Sequence, residues 1–530
     1  MPSRLIAHPR SSISTCSRRK FLTLSSGLGT ILALGGLPTL LHGAARQLTS
    51  VPGDPFTLGV ASGDPTPDSI VLWTRLSNEV LSEIGAEADA IAVDYEIARD
   101  PSFRQPVRRG SIAATAELGH SVHAELRGLQ ADTEYFYRWH LADSTSPVGR
   151  TKTAPLASAD NQQFRFAFAS CQQYEHGFYT AYQHMAEEEF DLIVHLGDYI
   201  YERSWGSDLV RRHEGPEIFN LADYRNRYKT YKSDPDLRAA HASAPWIVTW
   251  DDHEVDNNYA ADIAEDEQSV EQLLRRREAA YQAYYEFMPI RLPVGRQGPD
   301  MPIHRRLRFG KLLDMYVLDT RQYRDDQACG DGRKPSCLAH QDSSRTLLGD
   351  AQRQWLFSGL ATADATWNVM AQQIMMASLR SLGDAGEQLW PMDIWDGYHH
   401  ERQALLQHLQ DSGTPNPVVL TGDIHSNWAA DLKLDFDHQN STTVGSEFVC
   451  TSITSGGDGQ DMTTYGEGLL ANNPHVKFYN GQRGYCSATL SPGLWRTDFK
   501  VLPAVTEAGL PISVRKSYFT EAGNPGVQEA

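Results

Sequence analysis

Four short apolar runs in this chain end beside side chains that can bind metal ions. The runs cover residues 164–170, 191–196, 246–250 and 417–420, and they lack the polar alternation of a half-exposed strand. Such runs are typical of strands that are covered on both faces. Because helical segments separate them, notably residues 266–287, the pattern predicts an α/β domain over residues 158–530.

A different pattern precedes this region. Residues 54–157 contain short alternating segments, such as 69–74, 92–97 and 134–139, which Gly, Pro and Asp turns separate. This pattern predicts an N-terminal β-sandwich domain. The turn at residues 132–135 resembles the one before a fibronectin-like strand, and a Pro/Ala/Ser-rich stretch at residues 153–160 is the predicted linker.

Side chains able to bind metal follow all four apolar runs. A lone Gly-Asp after a strand is usually a turn or a helix cap, and a lone cysteine is usually an inert buried thiol. Four strand ends that all carry such groups favour one shared site, since loops at the carboxyl ends of strands gather there in open sheets. The candidates are Cys171, Asp198, Tyr201, Asp252, His253, Asn258, Asp423 and His425.

The donor types predict a mixed iron and calcium site. Asp198 is the natural shared ligand, because one carboxylate can bridge two ions about 3.5 to 4 Å apart that clamp a phosphoryl group. A phenolate from Tyr201 suits ferric iron, to which a thiolate and an imidazole could add. The remaining candidates offer oxygen, the donor that calcium or magnesium takes. They are Asp252, Asn258 and Asp423.

Several longer motifs carry a more specific signal. They include Ala169-Ser-Cys-Gln172, Gly197-Asp-Tyr-Ile-Tyr-Glu202, Trp250-Asp-Asp-His-Glu-Val-Asp-Asn-Asn258, Gly422-Asp-Ile-His425 and Asn473-Pro-His-Val-Lys-Phe478. In this order they resemble the PhoD-like alkaline phosphatases and phosphodiesterases of the metallophosphoesterase superfamily. The resemblance implies a two-sheet metallophosphoesterase-like catalytic domain with a C-terminal segment that covers the site.

The resemblance also implies a ligand assignment. Ferric iron would be held by Cys171, Asp198, Tyr201 and His425. Calcium would be held through Asp198, Asp252, Asn258 and Asp423.

The implied reaction is hydrolysis of phosphate monoesters, diesters or both by metal-activated water. Asp252 and His253 are the predicted catalytic residues, and His253 would either contact the phosphate or protonate the leaving group. Arg203 could clamp the phosphate, although an exposed arginine on a solvated loop is the commoner case. Two alternatives stay open: a phospholipase D-type phosphodiesterase, and a metal-binding protein without turnover.

The N-terminus predicts export. Ser17-Arg-Arg-Lys-Phe-Leu22 is a twin-arginine pattern, and an apolar stretch over residues 23–41 and the small residues Gly43-Ala-Ala45 follow it. We therefore expect residues 1–45 to be a signal peptide for the twin-arginine machinery, with an uncleaved anchor as the alternative. The mature protein would be periplasmic or secreted and, since no other long apolar stretch occurs, would not stay inserted in a membrane.

Charge and cysteines add two constraints. The formal net charge is −19, and residues 1–45 carry five basic and no acidic residues, so the remainder is more negative still. Such a surface does not attract polyanions, which argues against a nucleic-acid partner. Cys329 and Cys337 bracket a polar stretch and are the predicted disulfide, while Cys450 and Cys486 are a weaker second pair.

Overall fold

The computed structural model describes residues 45–292 and 298–530. The predicted signal peptide therefore lies outside the described residues, apart from Ala45. The strands are β1 (Val60–Gly63), β2 (Ser69–Arg75), β3 (Ile91–Ala98), β4 (Pro106–Ala114), β5 (Ser121–Arg127), β6 (Glu134–Leu141), β7 (Ser144–Thr145), β8 (Gly149–Lys152), β9 (Phe164–Ala169), β10 (Leu192–His195), β11 (Pro245–Val248), β12 (Arg305–Phe309), β13 (Leu313–Val317), β14 (Arg333–Lys334), β15 (Trp367–Ala371), β16 (Ser381–Leu382), β17 (Gln388–Pro391), β18 (Pro417–Thr421), β19 (Asn427–Lys433), β20 (Thr443–Val449), β21 (Val476–Asn480), β22 (Gly484–Leu490), β23 (Leu494–Val501), β24 (Ser513–Glu521) and β25 (Asn524–Glu529). The α-helices are α1 (Asn78–Glu83), α2 (Thr180–Ala186), α3 (Leu221–Lys232), α4 (Pro235–Ser243), α5 (Val270–Phe287), α6 (Gly349–Ala361), α7 (His399–Ser412) and α8 (Thr464–Asn472).

Two large sheets dominate the described part of the chain. The first has ten strands in the order β25-β24-β23-β22-β9-β10-β11-β1-β2-β5, and the second has seven in the order β12-β13-β15-β18-β20-β19-β21. Strands β9, β10 and β11 are parallel neighbours, and β18 lies between two parallel neighbours in the second sheet. The carboxyl ends of β9, β10 and β11 therefore share one edge.

The sheets pack face to face with helices on their outer sides. Phe166 and Phe168 of β9 lie in one buried core with Val418 and Leu420 of β18, between the two sheets. Ala167, the residue between the two phenylalanines, belongs to the core that also contains residues of α2 to α5. A third core contains residues of α6, α7 and the seven-stranded sheet. Burial on both strand faces explains why the runs lack polar alternation.

Local sequence fixes where the longest helix, α5, begins. Ser269 and Gln272 form a capping box, in which each side chain accepts a hydrogen bond from the other residue's backbone N–H. The helix starts at Val270, four residues after the predicted start, because the cap lies at Ser269. Its residue Tyr281 stacks on Trp250, with ring centroids 4.1 Å apart, just ahead of the site loop that follows β11.

The predicted N-terminal sandwich contributes to two sheets. Strands β3, β4, β6, β7 and β8 form a sheet of their own, while β1, β2 and β5 extend the ten-stranded sheet. The junction is the parallel pair β1 and β11, where Ser62 faces Pro245. The fibronectin-like topology and the boundary between residues 54–157 and 158–530 stay predictions.

The C-terminal strands β24 and β25 lie at the far edge of the ten-stranded sheet. The segment between β23 and β24 packs beside α2, where Phe178 N–H donates to the Val505 carbonyl at 2.7 Å and Gly509 N–H donates to Thr180 Oγ1 at 3.0 Å. The covering role predicted for the C-terminal region stays a prediction.

Candidate metal centre

The predicted ligands lie in the loops after β9, β10, β11 and β18. Cys171 follows β9, Asp198 follows β10, Asp252 follows β11, and Asp423 and His425 follow β18. The first three loops leave neighbouring strands of one sheet, while the fourth comes from the facing sheet. Residues far apart in sequence are thereby brought to one place.

The backbone of these loops is unusual. Cys171, Asp198, Asn258, Asp423 and His425 all have positive φ, between 51° and 59°. Non-glycine residues seldom adopt this left-handed conformation, which clusters at functional sites when the surrounding structure enforces it. Here part of that enforcement comes from hydrogen bonds between loops, such as Cys171 N–H to the Gly197 carbonyl at 3.1 Å.

Two glycines allow the loops to approach one another. A Cβ atom on Gly197, which has φ 116°, would lie 2.5 Å from Cβ of Asp251. One on Gly422 would lie 2.6 Å from Oγ of Ser170, the residue before Cys171. The glycine ahead of each aspartate is therefore required for the close contact of β10 with β11 and of β9 with β18.

The four predicted iron ligands lie together. Single ligand atoms of Cys171, Asp198 and His425 lie within 4.8 Å of one another. The Tyr201 hydroxyl donates to Asp198 Oδ2 at 2.9 Å and lies 3.3 Å from His425 Nε2. Ser455 Oγ donates to the same phenol oxygen at 2.7 Å, an interaction that the sequence did not predict.

A second set of acidic side chains adjoins the first. Asp198, Asp252 and His253 form one group with ligand atoms within 4.8 Å, and Asp251, Asp252 and Asp423 form another. Asn258 joins them through its backbone N–H, which donates to Asp252 Oδ2 at 2.8 Å. Asp198 belongs to both the iron-type group and this set, as its predicted bridging position requires.

Buried carboxylate oxygens in this set lack hydrogen-bond partners. Among the described residues, none donates to Asp198 Oδ1, Asp251 Oδ2 or Asp252 Oδ1. Burial raises the pKa of Asp198 well above its usual range; the charges of Asp252 and Asp251 raise it further, and His253 opposes them. Burial and the charge of Asp251 likewise raise the pKa of Asp423, against Arg321. Bound cations would satisfy these oxygens and restore their charge, so the residues fit a metal centre.

The thiol and phenol donors also need a cation to ionise. Burial and then the charge of Asp198 raise the pKa of the Cys171 thiol and of the Tyr201 phenol well above their usual ranges. Burial, followed by Arg483, lowers the pKa of His425 to about 3, which keeps the imidazole in the neutral form that metals bind. A metal ion supplies the positive charge that ionises thiol and phenol ligands.

His253 stands at the edge of the acidic set. Its Nδ1 lies 2.7 Å from Oε2 of the fully buried Glu202, and its ring packs on Tyr201 with centroids 4.1 Å apart. Burial lowers the pKa of His253, but the charges of Glu202, Asp252 and Asp198 outweigh burial and raise it well above its usual range. The carboxylates around the ring therefore favour the protonated form of the imidazole.

Arg203 lies beside the same glutamate. Its guanidinium packs over the Trp205 ring at 4.1 Å, and its Nε lies 3.6 Å from Glu202 Oε1. The side chain is 36% exposed, so it can reach a ligand in solvent.

A further acidic group, which includes Glu202, is paired with an arginine side chain. Ligand atoms of Glu202, Glu217 and Asp256 lie within 4.8 Å of one another. Arg276 inserts here, with nitrogens 2.9 Å from Glu217 and 2.9 Å from Asp256. The guanidinium thus supplies the charge that a metal would supply elsewhere.

Glu254 lies within the motif at residues 250–258, and no role was predicted for it. Its carboxylate accepts backbone hydrogen bonds from Asp198, Tyr199 and Asp251, which joins the loops after β10 and β11. Burial raises its pKa to about 8, against these bonds. An acidic residue inside a strand-end motif was the available signal.

Arg321 was also missed. It is fully buried, and it donates to Asp251 at 2.5 Å and to both oxygens of Asp393 at 2.9 and 3.0 Å. It follows strand β13 in the same way that the ligands follow theirs, which was the signal that could have found it. Its positive charge offsets the negative charges of Asp251 and Asp393 beside the candidate metal ligands.

The cysteines divide into bonded and free. Cys329 and Cys337 form a disulfide, with Cα atoms 5.9 Å apart. Cys450 and Cys486 are both buried free thiols, so the weaker predicted pair does not form in the structure. Cys171 is also a buried free thiol.

Comparisons with known proteins agree with these features. A model of PhoD-like phosphatases matches residues 166–499, and a model of the PhoD-like phosphatase N-terminal domain matches residues 43–155. Alkaline phosphatase D of Bacillus subtilis (strain 168) is 48% identical over 525 residues, covering 97% of this chain and 89% of that protein. A solved structure of PhoD is 49% identical with a TM-score of 0.87, covering 92% of this chain and 93% of that one.

The fold and the site therefore define a phosphatase, an enzyme that hydrolyses phosphoric esters. The chain belongs to the PhoD-like phosphatase family, which confirms the resemblance of its motifs. The predicted mixed α/β architecture with several sheets is also confirmed. The clusters of acidic, cysteine and histidine side chains are consistent with the metal dependence of this family.

Over the described residues, no helix has the length and apolar character needed to cross a membrane.

Proposed function

We propose that this chain is an exported phosphatase that hydrolyses phosphate monoesters, diesters or both at a mixed Fe³⁺ and Ca²⁺ centre. The observation that carries the proposal is the position of Asp198. It belongs both to the group with Cys171 and His425 and to the group with Asp252, and its buried Oδ1 has no hydrogen-bond partner among the described residues. One carboxylate shared between two sets of donors of different hardness favours two different ions.

The two ions would have separate ligand sets that share Asp198. Cys171, Asp198, Tyr201 and His425 would hold Fe³⁺, and Asp198, Asp252, Asn258 and Asp423 would hold Ca²⁺. When bound, the ions supply positive charge for the transferring phosphoryl group and acidify water.

His253 would contact the phosphate or donate a proton to the leaving group. Glu202 fixes the imidazole through Nδ1 at 2.7 Å, and no described residue is hydrogen-bonded to Nε2. A protonated Nε2 can donate to a phosphate oxygen or to the departing alkoxide. The buried Glu202 supports this role because it favours the charged imidazole.

Arg203 is the proposed additional phosphate contact. The Trp205 ring supports its guanidinium from one side, while the exposed part of the side chain faces solvent. A planar guanidinium can bind a phosphate with two hydrogen bonds, which lysine cannot reproduce.

Export through the twin-arginine pathway is part of the proposal and rests on the sequence of residues 1–45. Periplasmic or extracellular conditions also permit the disulfide between Cys329 and Cys337.

The proposal is tested by assaying the purified protein with a phosphate monoester, a diester and a phospholipid, together with metal analysis. We expect turnover of a monoester or a diester, with iron and calcium bound, and loss of at least about 100-fold in Asp252→Asn. Asp266→Asn, which changes an aspartate hydrogen-bonded to Gln268, is the matched control and should keep full activity. Turnover of phospholipid alone would favour a phospholipase D-type enzyme, and bound metals without turnover would favour a binding protein.

A further inference from the structure

The loop closed by the Cys329–Cys337 disulfide carries an aspartate in a strained conformation. Asp331 has φ 61° and ψ 178°, and its neighbours Cys329, Gly330 and Gly332 also have positive φ. The values of Asp331 lie at the border of a region that is essentially restricted to glycine and is strained for other residues. A strained non-glycine residue between two glycines is a feature that requires an explanation.

The side chain of Asp331 contacts Asn258, one of the proposed calcium ligands. Its Oδ2 accepts a hydrogen bond from Nδ2 of Asn258 at 2.9 Å. Its Oδ1 is buried, and no described residue donates to it. The loop thus directs a carboxylate at Asn258 across a gap of 73 residues in sequence.

Asn258 is fixed by three contacts. Its backbone N–H donates to Asp252, its backbone carbonyl accepts from Gln327 at 2.7 Å, and its amide nitrogen donates to Asp331. Because a carboxylate accepts and an amide NH₂ donates, Asp331 determines which end of the Asn258 amide faces the loop. The amide Oδ1, to which no described residue donates, is then left for another partner.

We propose that Asp331 is a positioning residue for the calcium site, which orients the Asn258 amide so that Oδ1 binds the cation. The disulfide keeps the strained loop in the conformation that presents Asp331. This inference rests on the proposed function, since it concerns a ligand of the proposed Ca²⁺. Partners of metal ligands typically affect metal affinity by about 10–100-fold.

The first test compares Asp331→Asn with Asp331→Ala. Calcium binding to the iron-loaded, calcium-depleted enzyme is measured by titration calorimetry, and iron content is measured in parallel. Asparagine retains an acceptor oxygen, so its calcium affinity should fall by less than about 3-fold, whereas alanine should lose about 10-fold or more. Iron content should not change in either variant.

Two results would overturn the inference. An equal loss of calcium affinity in both variants would mean that the negative charge of Asp331 matters and its acceptor oxygen does not. Unchanged calcium affinity in both variants would mean that Asp331 has no role at this site. Asp342→Ala is the matched control, since this exposed aspartate on the same polar segment contacts Ser344 and should leave affinity unchanged.

Asp331→Gly separates positioning from a purely structural role. Glycine tolerates φ 61° and ψ 178° and alanine does not, while both lack the carboxylate. The calcium-free Asp331→Gly protein should therefore melt at a higher temperature than calcium-free Asp331→Ala, while both bind calcium about 10-fold more weakly than wild type. A lower melting temperature of Asp331→Gly than of Asp331→Ala would contradict the strain argument. This variant also keeps the test valid if Asp331→Ala fails to fold.

The role of the disulfide is tested by removing both cysteines in the wild-type protein and in Asp331→Ala. Cys329→Ser with Cys337→Ser should weaken calcium binding in the wild-type background and add little in the Asp331→Ala background, because both changes act through one contact. Independent, additive losses would contradict the proposed route. If wild type binds no calcium and works with another ion, the proposed centre itself is wrong, whereas wild-type calcium binding with unaffected variants refutes the role of Asp331 alone.

Discussion

Tyr201 has three polar neighbours around one phenol oxygen, and this arrangement distinguishes it from the other buried tyrosines of the core. Asp198, His425 and Ser455 all lie within 3.3 Å of that oxygen. The hydroxyl donates to Asp198 and accepts from Ser455. A cation bound at this oxygen would favour the phenolate over the phenol.

Tyr201→Phe should bleach the colour of the iron-loaded protein. A phenolate bound to ferric iron gives the protein a visible charge-transfer band, and phenylalanine cannot form it. The measurement is the visible absorption spectrum together with iron analysis. Tyr228→Phe removes a fully buried phenol of α3 to which no described residue is hydrogen-bonded, and it should leave the colour intact. A coloured, fully active Tyr201→Phe protein would remove Tyr201 from the ligand set.

His475 provides a pH-dependent prediction away from the metal residues. It is buried, and its Nε2 donates to the Ser378 carbonyl at 2.8 Å. Burial lowers the pKa of His475 to about 4 in the folded protein, whereas a histidine in the unfolded chain has a pKa of about 6.5. Between these two pH values the unfolded chain is protonated at this residue and the folded chain is not. Stability from this group is therefore present above pH 6.5 and is lost as pH falls toward 4.

We expect His475→Gln to flatten this dependence. Between pH 6.5 and 4 the free energy of unfolding of wild type should fall by about 1.4 kcal/mol per pH unit more than that of the variant. Denaturant titrations at several pH values measure the difference, in which contributions from other histidines cancel. Parallel curves for the two proteins would contradict the assigned shift.

Among the strands, the distance between the carboxyl ends of β9 and β18 determines whether the proposed iron ligands can lie together. Cys171 and His425 follow strands of different sheets, and Gly422 allows the ends of these strands to approach because it has no Cβ. A Cβ atom at Gly422 would collide with the side chain of Ser170.

Gly422→Ala should separate the strand ends and lower iron content by about 10-fold, since the added methyl overpacks a tight contact. Adding Ser170→Gly removes the clashing atoms and should restore much of the iron. Circular dichroism checks that the fold persists, and metal analysis of the single and double variants gives the result. Full iron content in Gly422→Ala would show that the approach is not limiting.

The sequence predicted these strands closely but not all of their partners. The apolar runs marked β9, β10, β11 and β18 to within two residues at each end, because strands buried on both faces must be apolar throughout. The start of α5 was set by the cap at Ser269. Asp331 could not be found, because it lies on a polar loop whose contact with Asn258 depends on the folded chain.

Across the molecule, the two proposed ions differ in how firmly they are held. The calcium donors are oxygens only, whereas iron would have a thiolate and a phenolate as well. The acidic surroundings of Asp252 and Asp423 need the charge of the labile ion, because the carboxylates there outnumber nearby cationic side chains such as Arg321 and His253.

A calcium chelator should therefore abolish hydrolysis while the iron colour persists, and added calcium should restore the rate. The measurements are turnover and visible absorption on the same sample, with magnesium and zinc as comparison ions. Asp252→Asn should weaken the rescue by removing one charge from the site. Better rescue by zinc than by calcium would replace the mixed centre with one of two transition metals.

The strand order of the ten-stranded sheet has a consequence for biosynthesis. Tyr201 and His425 are 224 residues apart, and β9, which precedes Cys171, has β22 near the C-terminus as its neighbour. A nascent chain on the ribosome cannot complete this sheet, since contacts between distant segments form only once both have emerged. We therefore expect Cys171 to remain an unprotected thiol until translation ends, so that assembly of the centre is a post-translational event best completed where thiols stay reduced.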